Sequence, residues 1–312
     1  MLPPNISTTF DIDGYAELPE MLASLEARNL HNAILATRDF DKSLFLNENE
    51  WAASPKSHNR TNPGPGYNLL EHMEDKLDFI HHNPKLNNYL THLLGKNFKW
   101  YQKKLVCRLP ANIIPDWLYK NIKDKPANSF GAFIKPQYRD IGYFYDADLH
   151  QDIHDWPRWQ NKEHRLITLY VYLDDVSDDD APLLLLPGTH VLGVTRFQHN
   201  VKYCADTGEW VYDDGKGHVI TSRLKKITGQ AGYAGLWHSC LLHGSRYMRN
   251  GKIRISLRYL LGRSDDPEPC LLDEINSRIQ GPLYPDEDTT AGATAQANGF
   301  WSLQHTDFTR LQ

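Results

Sequence analysis

The sequence predicts a mainly β chain with a helical buttress (α+β). Its core is expected to be a double-stranded β-helix, a cupin-like jelly roll. Three observations predict it. Short runs of apolar, β-branched and aromatic residues recur from Phe98 to Leu261, each closed by turn residues. Segments with helical spacing precede them. The 312 residues are enough for one large barrel with a full core, or for two small domains. The even run of strands favours a single unit over residues 1–312. Its core would span about 65–262, with a hairpin-like insertion at about 195–230 and a C-terminal extension at about 263–312.

Taken in order, Leu18–Leu30 places Met21, Leu22, Leu25 and Leu30 on one side of a helix. Pro, Gly and Asn make 55–66 a loop. Asn68–Ile80 reads as an amphipathic helix; Asn83-Pro84 stops it and starts another, Lys85–Leu94, which Gly95 ends. Phe98–Leu109 reads as a strand, Pro115–Lys125 as a short helix or insertion, and Phe130–Pro136 as a strand. Asp155-Trp156-Pro157-Arg158-Trp159 suggests a loop at a rim. Leu166–Leu173 is a buried strand by its continuous apolar run, and Leu183–Leu186 is a shorter one. Between them, Asp174-Asp175 and Asp178-Asp179-Asp180 read as a solvated acidic turn. Glu209–Tyr212 and His218–Ser222 flank Asp213-Asp214-Gly215-Lys216-Gly217, a hairpin signal that suits either a cover over a site or a plain surface hairpin. Gly235–Leu242 and Ile253–Leu261 are the last strands. Residues 282–298 are rich in Pro, Gly and Thr and read as loops.

Composition excludes several classes. With 34 basic and 39 acidic residues the net charge is −5, which argues against nucleic-acid or anionic-membrane binding. No run of 18 apolar residues is present, so no transmembrane helix is expected. The N-terminus lacks a basic-then-apolar signal. Cys107, Cys204, Cys240 and Cys270 are scattered, with no CxxC, and read as reduced thiols of a cytoplasmic protein.

The chemistry concentrates in Leu149-His150-Gln151-Asp152-Ile153. On a strand, side chains two apart share a face, so His150 and Asp152 can reach one metal while Gln151 points away. One distant histidine completes a facial two-histidine, one-carboxylate set with open positions, the pattern non-haem Fe(II) oxygenases require. His-x-Asp alone is weak: with 15 His, about one such tripeptide arises by chance. His72-Met73-Glu74 sits in a helical pattern, where i and i+2 diverge, and no histidine follows His305-Thr306-Asp307.

Context raises His150 and Asp152. Leu149-His150-Gln151-Asp152 after Lys135-Pro136, then Leu186-Pro187-Gly188-Thr189-His190, Gly235-Leu236-Trp237, Leu242-His243-Gly244-Ser245 and Arg254-Ile255-Ser256-Leu257-Arg258-Tyr259 follow one another. This ordered set resembles the phytanoyl-CoA dioxygenase family of Fe(II)/2-oxoglutarate oxygenases, over roughly residues 65–262. The resemblance implies an oxidoreductase, an Fe(II)- and 2-oxoglutarate-dependent dioxygenase. It would use O2, release succinate and CO2, and act on a small-molecule metabolite. It implies His150, Asp152 and His243 as the catalytic metal ligands and Arg254 as the clamp on the far carboxylate of 2-oxoglutarate, a pairing suited to a guanidinium. Gln151 and Thr168 match positions that line the co-substrate in the family, and Ser256, on the Arg254 face, can add a hydroxyl to it. Relatives that halogenate have a small residue in place of the carboxylate, so Asp152 argues for hydroxylation, desaturation or oxidative cyclisation.

Other residues have plainer readings. Arg254, Ser256 and Arg258 share a strand face; if inward, both arginines need partners, with an acidic side chain expected for Arg258. His238 is the rival of His243 for the distal position, while His154, His164 and His190 read as rim or locally bonded residues. Lys135, Tyr143, Trp156 and Trp237 are substrate-contact candidates, with Trp159, Tyr145, Arg139 and Arg196 behind them; aromatic residues of this kind are core more often than not. The substrate is expected to be amino-acid-like or a specialised-metabolism intermediate. The other class to weigh is a non-catalytic jelly-roll protein that binds a metal or small molecule. A cupin-type isomerase or a zinc hydrolase fits less well, because the usual cupin segment has His-x-His.

Overall fold

The computed structural model describes residues 6–53, 63, 66–122, 130–145, 147–151, 166–193, 199–246 and 248–264. Its helices are α1 (Ile6–Asp13), α2 (Ser24–Leu35), α3 (Glu48–Ala53), α4 (Asp78–His81), α5 (Pro84–Leu94) and α6 (Asp116–Ile122). Its strands are β1 (Tyr15–Leu18), β2 (Lys99–Arg108), β3 (Gly142–Phe144), β4 (Ala147–His150), β5 (Ile167–Tyr172), β6 (Leu183–Leu185), β7 (Asn200–Cys204), β8 (Glu209–Asp213), β9 (Val219–Ser222), β10 (Lys225–Ile227), β11 (Ala234–His238), β12 (His243–Ser245) and β13 (Arg254–Gly262).

Six strands form one sheet in the order β1-β11-β5-β13-β2-β3, and four form a second, β10-β6-β12-β4. The pairs are antiparallel except β2 with β3. Period-two alternation gives the larger sheet two chemistries. Leu105, Cys107, Leu169, Val171, Ile255, Leu257, Tyr259 and Leu236 pack with Leu30 and Ile34 of α2, Ile80 of α4 and Leu86, Leu90 and Leu93 of α5 in one apolar core. Tyr170, Tyr172, Tyr233 and Trp237 face the other way and meet Leu183, Leu185 and Ile227 of the smaller sheet. The architecture is thus a mostly β jelly roll buttressed on one side by helices. Two local devices fix the buttress: Asn83 accepts from Leu86 N at 2.9 Å to start α5, and Gly95 at φ +88° ends it.

Four expectations are corrected locally. Asn68–Ile80 is two 3-10 turns, Leu69–His72 and Glu74–Leu77, before α4; Asn68 accepts from Leu70 N and donates to Lys103 O at 2.7 Å, tying the segment to β2. The helix expected at Leu18–Leu30 starts at Ser24, because Tyr15–Leu18 pairs with β11 and the chain turns through Glu20 at φ +58°. Phe130–Pro136 is not a strand: it coils through Gly131–Phe133 and Pro136–Tyr138, with one bridge, Ile134 to Phe45. Gly235–Leu242 breaks after His238, where Leu241 N donates to His238 O at 2.8 Å, and resumes as β12.

Candidate active site

His150 ends β4 and His243 begins β12, and the two residues are register partners. Their ring centroids lie 4.4 Å apart. His243 is buried, and its Nδ1 lies 3.0 Å from Leu241 O. A carbonyl only accepts, so Nδ1 carries the proton and Nε2 presents its lone pair, the tautomer a metal ligand needs. The Pro187-Gly188-Thr189 turn holds this strand in place. Thr189 Oγ1 donates to Leu186 O at 2.8 Å and accepts from Leu242 N at 3.0 Å, while Leu186 N donates to Leu242 O. Gly188 sits at φ +80°, which a residue with a Cβ adopts only under strain. Asp152, Trp156, Trp159, His154, His164 and Arg196 lie outside the described residues.

His238, the rival ligand, accepts from Cys240 N on Nδ1 at 3.1 Å and so caps the turn between β11 and β12. His190 bonds Asp11 O at 3.2 Å, and burial lowers its pKa. Gln151 is wholly buried and donates from Nε2 to Gly193 O at 2.8 Å and Cys240 O at 2.7 Å. These two bonds anchor the strand end.

Across the barrel, β13 presents Arg254 and Ser256, both buried. Arg254 Nη1 donates to Ala181 O, and its Cζ lies 5.8 Å from the Tyr172 ring centroid and 5.9 Å from that of Tyr170. Arg254 Nε and Ser256 Oγ have no hydrogen-bond partner among the described residues, and neither has Ser245 Oγ. Buried donors of this kind are costly unless something arrives to accept. The tyrosine beneath is fixed: Tyr172 OH donates to Ile227 O at 2.7 Å and accepts from Leu183 N at 3.1 Å, joining the two sheets. Burial pushes its pKa up, against the pull of Arg254. Thr168 is wholly buried opposite Trp237 and Leu260, so it lies on the Arg254 face. The Trp237 ring centroid is 5.0 Å from that of His243 and 5.6 Å from that of Tyr170.

Two substrate candidates lie on the helix side of the molecule. Tyr143 faces the helices: it packs in the buttress core, 6.5 Å from Phe40, and burial raises its pKa. Lys135 sits in a coil where its N–H bonds Leu44 O and its charge acts on Asp41. The acidic turn is an ion-pair cluster: Asp174 and Asp175 bind Arg28, each at 2.7 Å, and Asp178 binds Lys226 at 2.9 Å. The hairpin signal was real but belongs to a three-stranded sheet, β7-β8-β9. Its Trp210 and Tyr212 pack on Leu149 and Leu242, the neighbours of His150 and His243, so the insertion backs the ligand strands. Tyr170, Tyr172 and Ala181 escaped the sequence reading. The apolar run Leu166–Leu173 hid its alternation, and a carbonyl partner leaves no trace in a sequence.

The described residues fit the groups that the pattern calls for. Two facing imidazoles, one with its tautomer set, suit a divalent metal; the unfilled donors of Arg254 and Ser256 suit a carboxylate. Among the described residues no helix is long and apolar enough to cross a membrane. A family model described as phytanoyl-CoA dioxygenase matches residues 10–256. A protein of Stutzerimonas stutzeri described as a probable alpha-ketoglutarate-dependent hypophosphite dioxygenase is 22% identical over 175 residues, 55% of this chain. That match spans 47% of the relative, about half its length. Among solved structures, the non-heme alpha ketoglutarate dependent carbocyclase SnoK from nogalamycin biosynthesis aligns with TM-score 0.52 at 14% identity, covering 89% of this chain and 90% of that one. The epimerase SnoN in complex with Fe3+, alpha ketoglutarate and nogalamycin RO aligns with TM-score 0.50 at 12% identity, covering 83% of each chain. At such identities the likeness concerns the fold.

Proposed function

The chain belongs to the phytanoyl-CoA dioxygenase family, and from that premise we propose that it is an Fe(II)- and 2-oxoglutarate-dependent dioxygenase that oxidises a small-molecule metabolite. The observation that carries this reading is the pairing of His150 with His243 on neighbouring strands, together with the unfilled donors of Arg254 and Ser256. His150 and His243 supply two neutral donors, and Asp152 is assigned the third, anionic position. Arg254 Nε and Ser256 Oγ take the far carboxylate of 2-oxoglutarate, with Thr168 on the same face. Iron with 2-oxoglutarate and O2 supplies the oxidising power, with release of succinate and CO2.

This chain's own work is placement and dryness. The Leu241 carbonyl holds the proton on His243 Nδ1 and keeps the ring in its ligating orientation. Ala181 O holds Arg254 Nη1, so the guanidinium is aimed before the co-substrate arrives. Trp237, Tyr170 and Tyr172 close the wall between the sheets to water. The retained carboxylate fits hydroxylation, desaturation or cyclisation. SnoK, a carbocyclase from nogalamycin biosynthesis, and SnoN, an epimerase solved with nogalamycin RO, support a specialised-metabolism intermediate as the substrate class. Free thiols at Cys107, Cys204 and Cys240 suit a reducing, cytoplasmic setting. The test is succinate. Purified without oxygen, given Fe(II) and 2-oxoglutarate and then air, the protein should release succinate slowly, and His243→Ala should not. No succinate from protein holding one iron per chain overturns the proposal.

A further inference from the structure

One buried donor on the inner face of the six-stranded sheet lies outside the co-substrate scheme. Gln102 Nε2 is buried and has no hydrogen-bond partner among the described residues. A buried N–H left unfilled costs free energy that an arriving acceptor relieves. Gln102 stands opposite Leu260. Leu260 is four residues along β13 from Ser256, roughly 14 Å by strand rise. The carboxylate that fills Arg254 and Ser256 is therefore not the group that fills Gln102.

The sheet aims this amide inward. The β2–β13 ladder pairs Leu260 with Gln102 but Leu261 with Trp100, so Tyr101 is an extra residue in β2. Such a bulge re-aims the side chain beside it. It is pinned: the Tyr101 ring lies over Gly262, where a Cβ would meet it at 2.3 Å, and Tyr101 OH donates to Arg263 O at 3.2 Å. On the other side of Gln102, Lys103 turns outward to Glu74. Register then runs one inward row across the sheet, Gln102, Leu260, Thr168 and Trp237. The Trp237 ring centroid is 5.0 Å from that of His243. Three strand steps separate Gln102 from Trp237, roughly 14 Å by strand spacing. A cyclic metabolite can lie across that row with one end at the amide and the other at the metal ligand.

We propose that Gln102 is a substrate-binding residue whose Nε2 donates to an uncharged oxygen of the substrate, a carbonyl or hydroxyl. The rest of the substrate lies over Leu260 and Thr168, toward Trp237 and His243. This rests on the dioxygenase reading for its purpose and narrows the substrate class to an oxygenated, largely apolar organic molecule. A site built round a hydrogen bond rejects the analogue that lacks the acceptor, because its own buried donor is then left unfilled.

The probes are cyclohexanone, cyclohexanol and methylenecyclohexane, in which CH2 replaces the ketone oxygen. The protein is saturated with Zn(II) and 2-oxoglutarate, so no turnover intervenes. Side-chain amide NMR follows Gln102, its signals assigned by their loss in Gln102→Met, and the Trp237 indole N–H reports binding to the variants. In the wild type, cyclohexanone should shift the Gln102 signals saturably and bind at least about fivefold more tightly than methylenecyclohexane. Gln102→Met should bind the two within about twofold of each other. Its 2-oxoglutarate midpoint should stay within about twofold of wild type. Its urea midpoint without probe should equal or exceed that of wild type, since an unfilled donor is gone. Gln102→Glu offers an acceptor in place of the donor, so at about pH 8 it should lose cyclohexanone and keep cyclohexanol; it keeps the test open if Gln102→Met folds poorly. No saturable shift in the wild type, or the same ketone preference in the variants, overturns the assignment. A Gln102→Met urea midpoint below wild type overturns it too, because the amide then supports the fold. Failure of the Zn(II) protein to bind 2-oxoglutarate, followed by calorimetry, instead condemns the dioxygenase reading. Probe shifts in metal-free protein then still decide Gln102.

Discussion

Along β13, Ile255, Leu257, Tyr259 and Leu261 go to one face and Arg254, Ser256 and Arg258 to the other. The first face is sealed under α2, α4 and α5, and each of those four side chains is at most 1% exposed. The second is also largely buried, yet it holds a guanidinium nitrogen and a hydroxyl without partners among the described residues. The same backbone serves both. Burial of apolar area against the helices, at roughly 25 cal/mol per Å2, outweighs the free-energy cost of unfilled polar groups on the inner face. On the proposed reading the co-substrate meets the inner face, and mutations should separate the roles of the two faces.

The largest effect is expected at His243. His243→Ala should take succinate formation below detection while the urea midpoint falls less than in an outer-face truncation. That truncation is Leu257→Ala. Leu257 is wholly buried between Leu105 and Val171, and its loss should cost about 2–5 kcal/mol by urea unfolding. The 2-oxoglutarate requirement of the folded protein should stay unchanged. A Leu257→Ala protein that is stable but inactive would break the division between the faces.

How far the sequence foretold this division follows the same line. Leu257 and Arg254 were legible because period-two spacing assigns faces without coordinates, and the buried strand at Leu166–Leu173 was legible from its length and branching. Spacing favours His243 over His238, and Nδ1 of His238 accepts from Cys240 N in the turn between β11 and β12. Tyr143 packs on the helix side, and Gln151 turns its amide to two backbone carbonyls. An aromatic on a sheet is equally at home on either face, and nothing local shows that Gln151 meets the carbonyls of Gly193 and Cys240, 42 and 89 residues away. The breaks at Asn68–Ile80 and at His238 depend on side chain to backbone bonds, which periodicity does not register.

A smaller effect is expected at Arg254. Its removal leaves Ala181 O unmet and takes away the charge proposed to face the co-substrate. Loss of a hydrogen bond to a charged group costs about 1.5–3 kcal/mol. Arg254→Ala should therefore raise the 2-oxoglutarate concentration for half-maximal succinate release by roughly 10- to 150-fold. Iron binding, measured without oxygen, should stay near wild type, because the histidines lie on the other sheet. Equal loss of iron and 2-oxoglutarate affinity would mean that Arg254 holds the barrel together and does not act as a clamp.

The smallest effect sharpens the comparison most, because its sign reverses with the ligand. Ser256 Oγ is buried and unfilled, so without co-substrate Ser256→Ala removes a penalty and should leave the urea midpoint equal or slightly raised. With co-substrate the same change deletes a donor and should weaken 2-oxoglutarate by about fivefold, about 1 kcal/mol. The stabilisation that 2-oxoglutarate gives in a thermal melt should shrink accordingly. On the outer face no such reversal is available, since every atom removed from Leu257 is lost to packing whether or not ligand is present. A Ser256→Ala protein destabilised in both states would show that the hydroxyl supports the fold, and would erase the distinction between the two faces at that position.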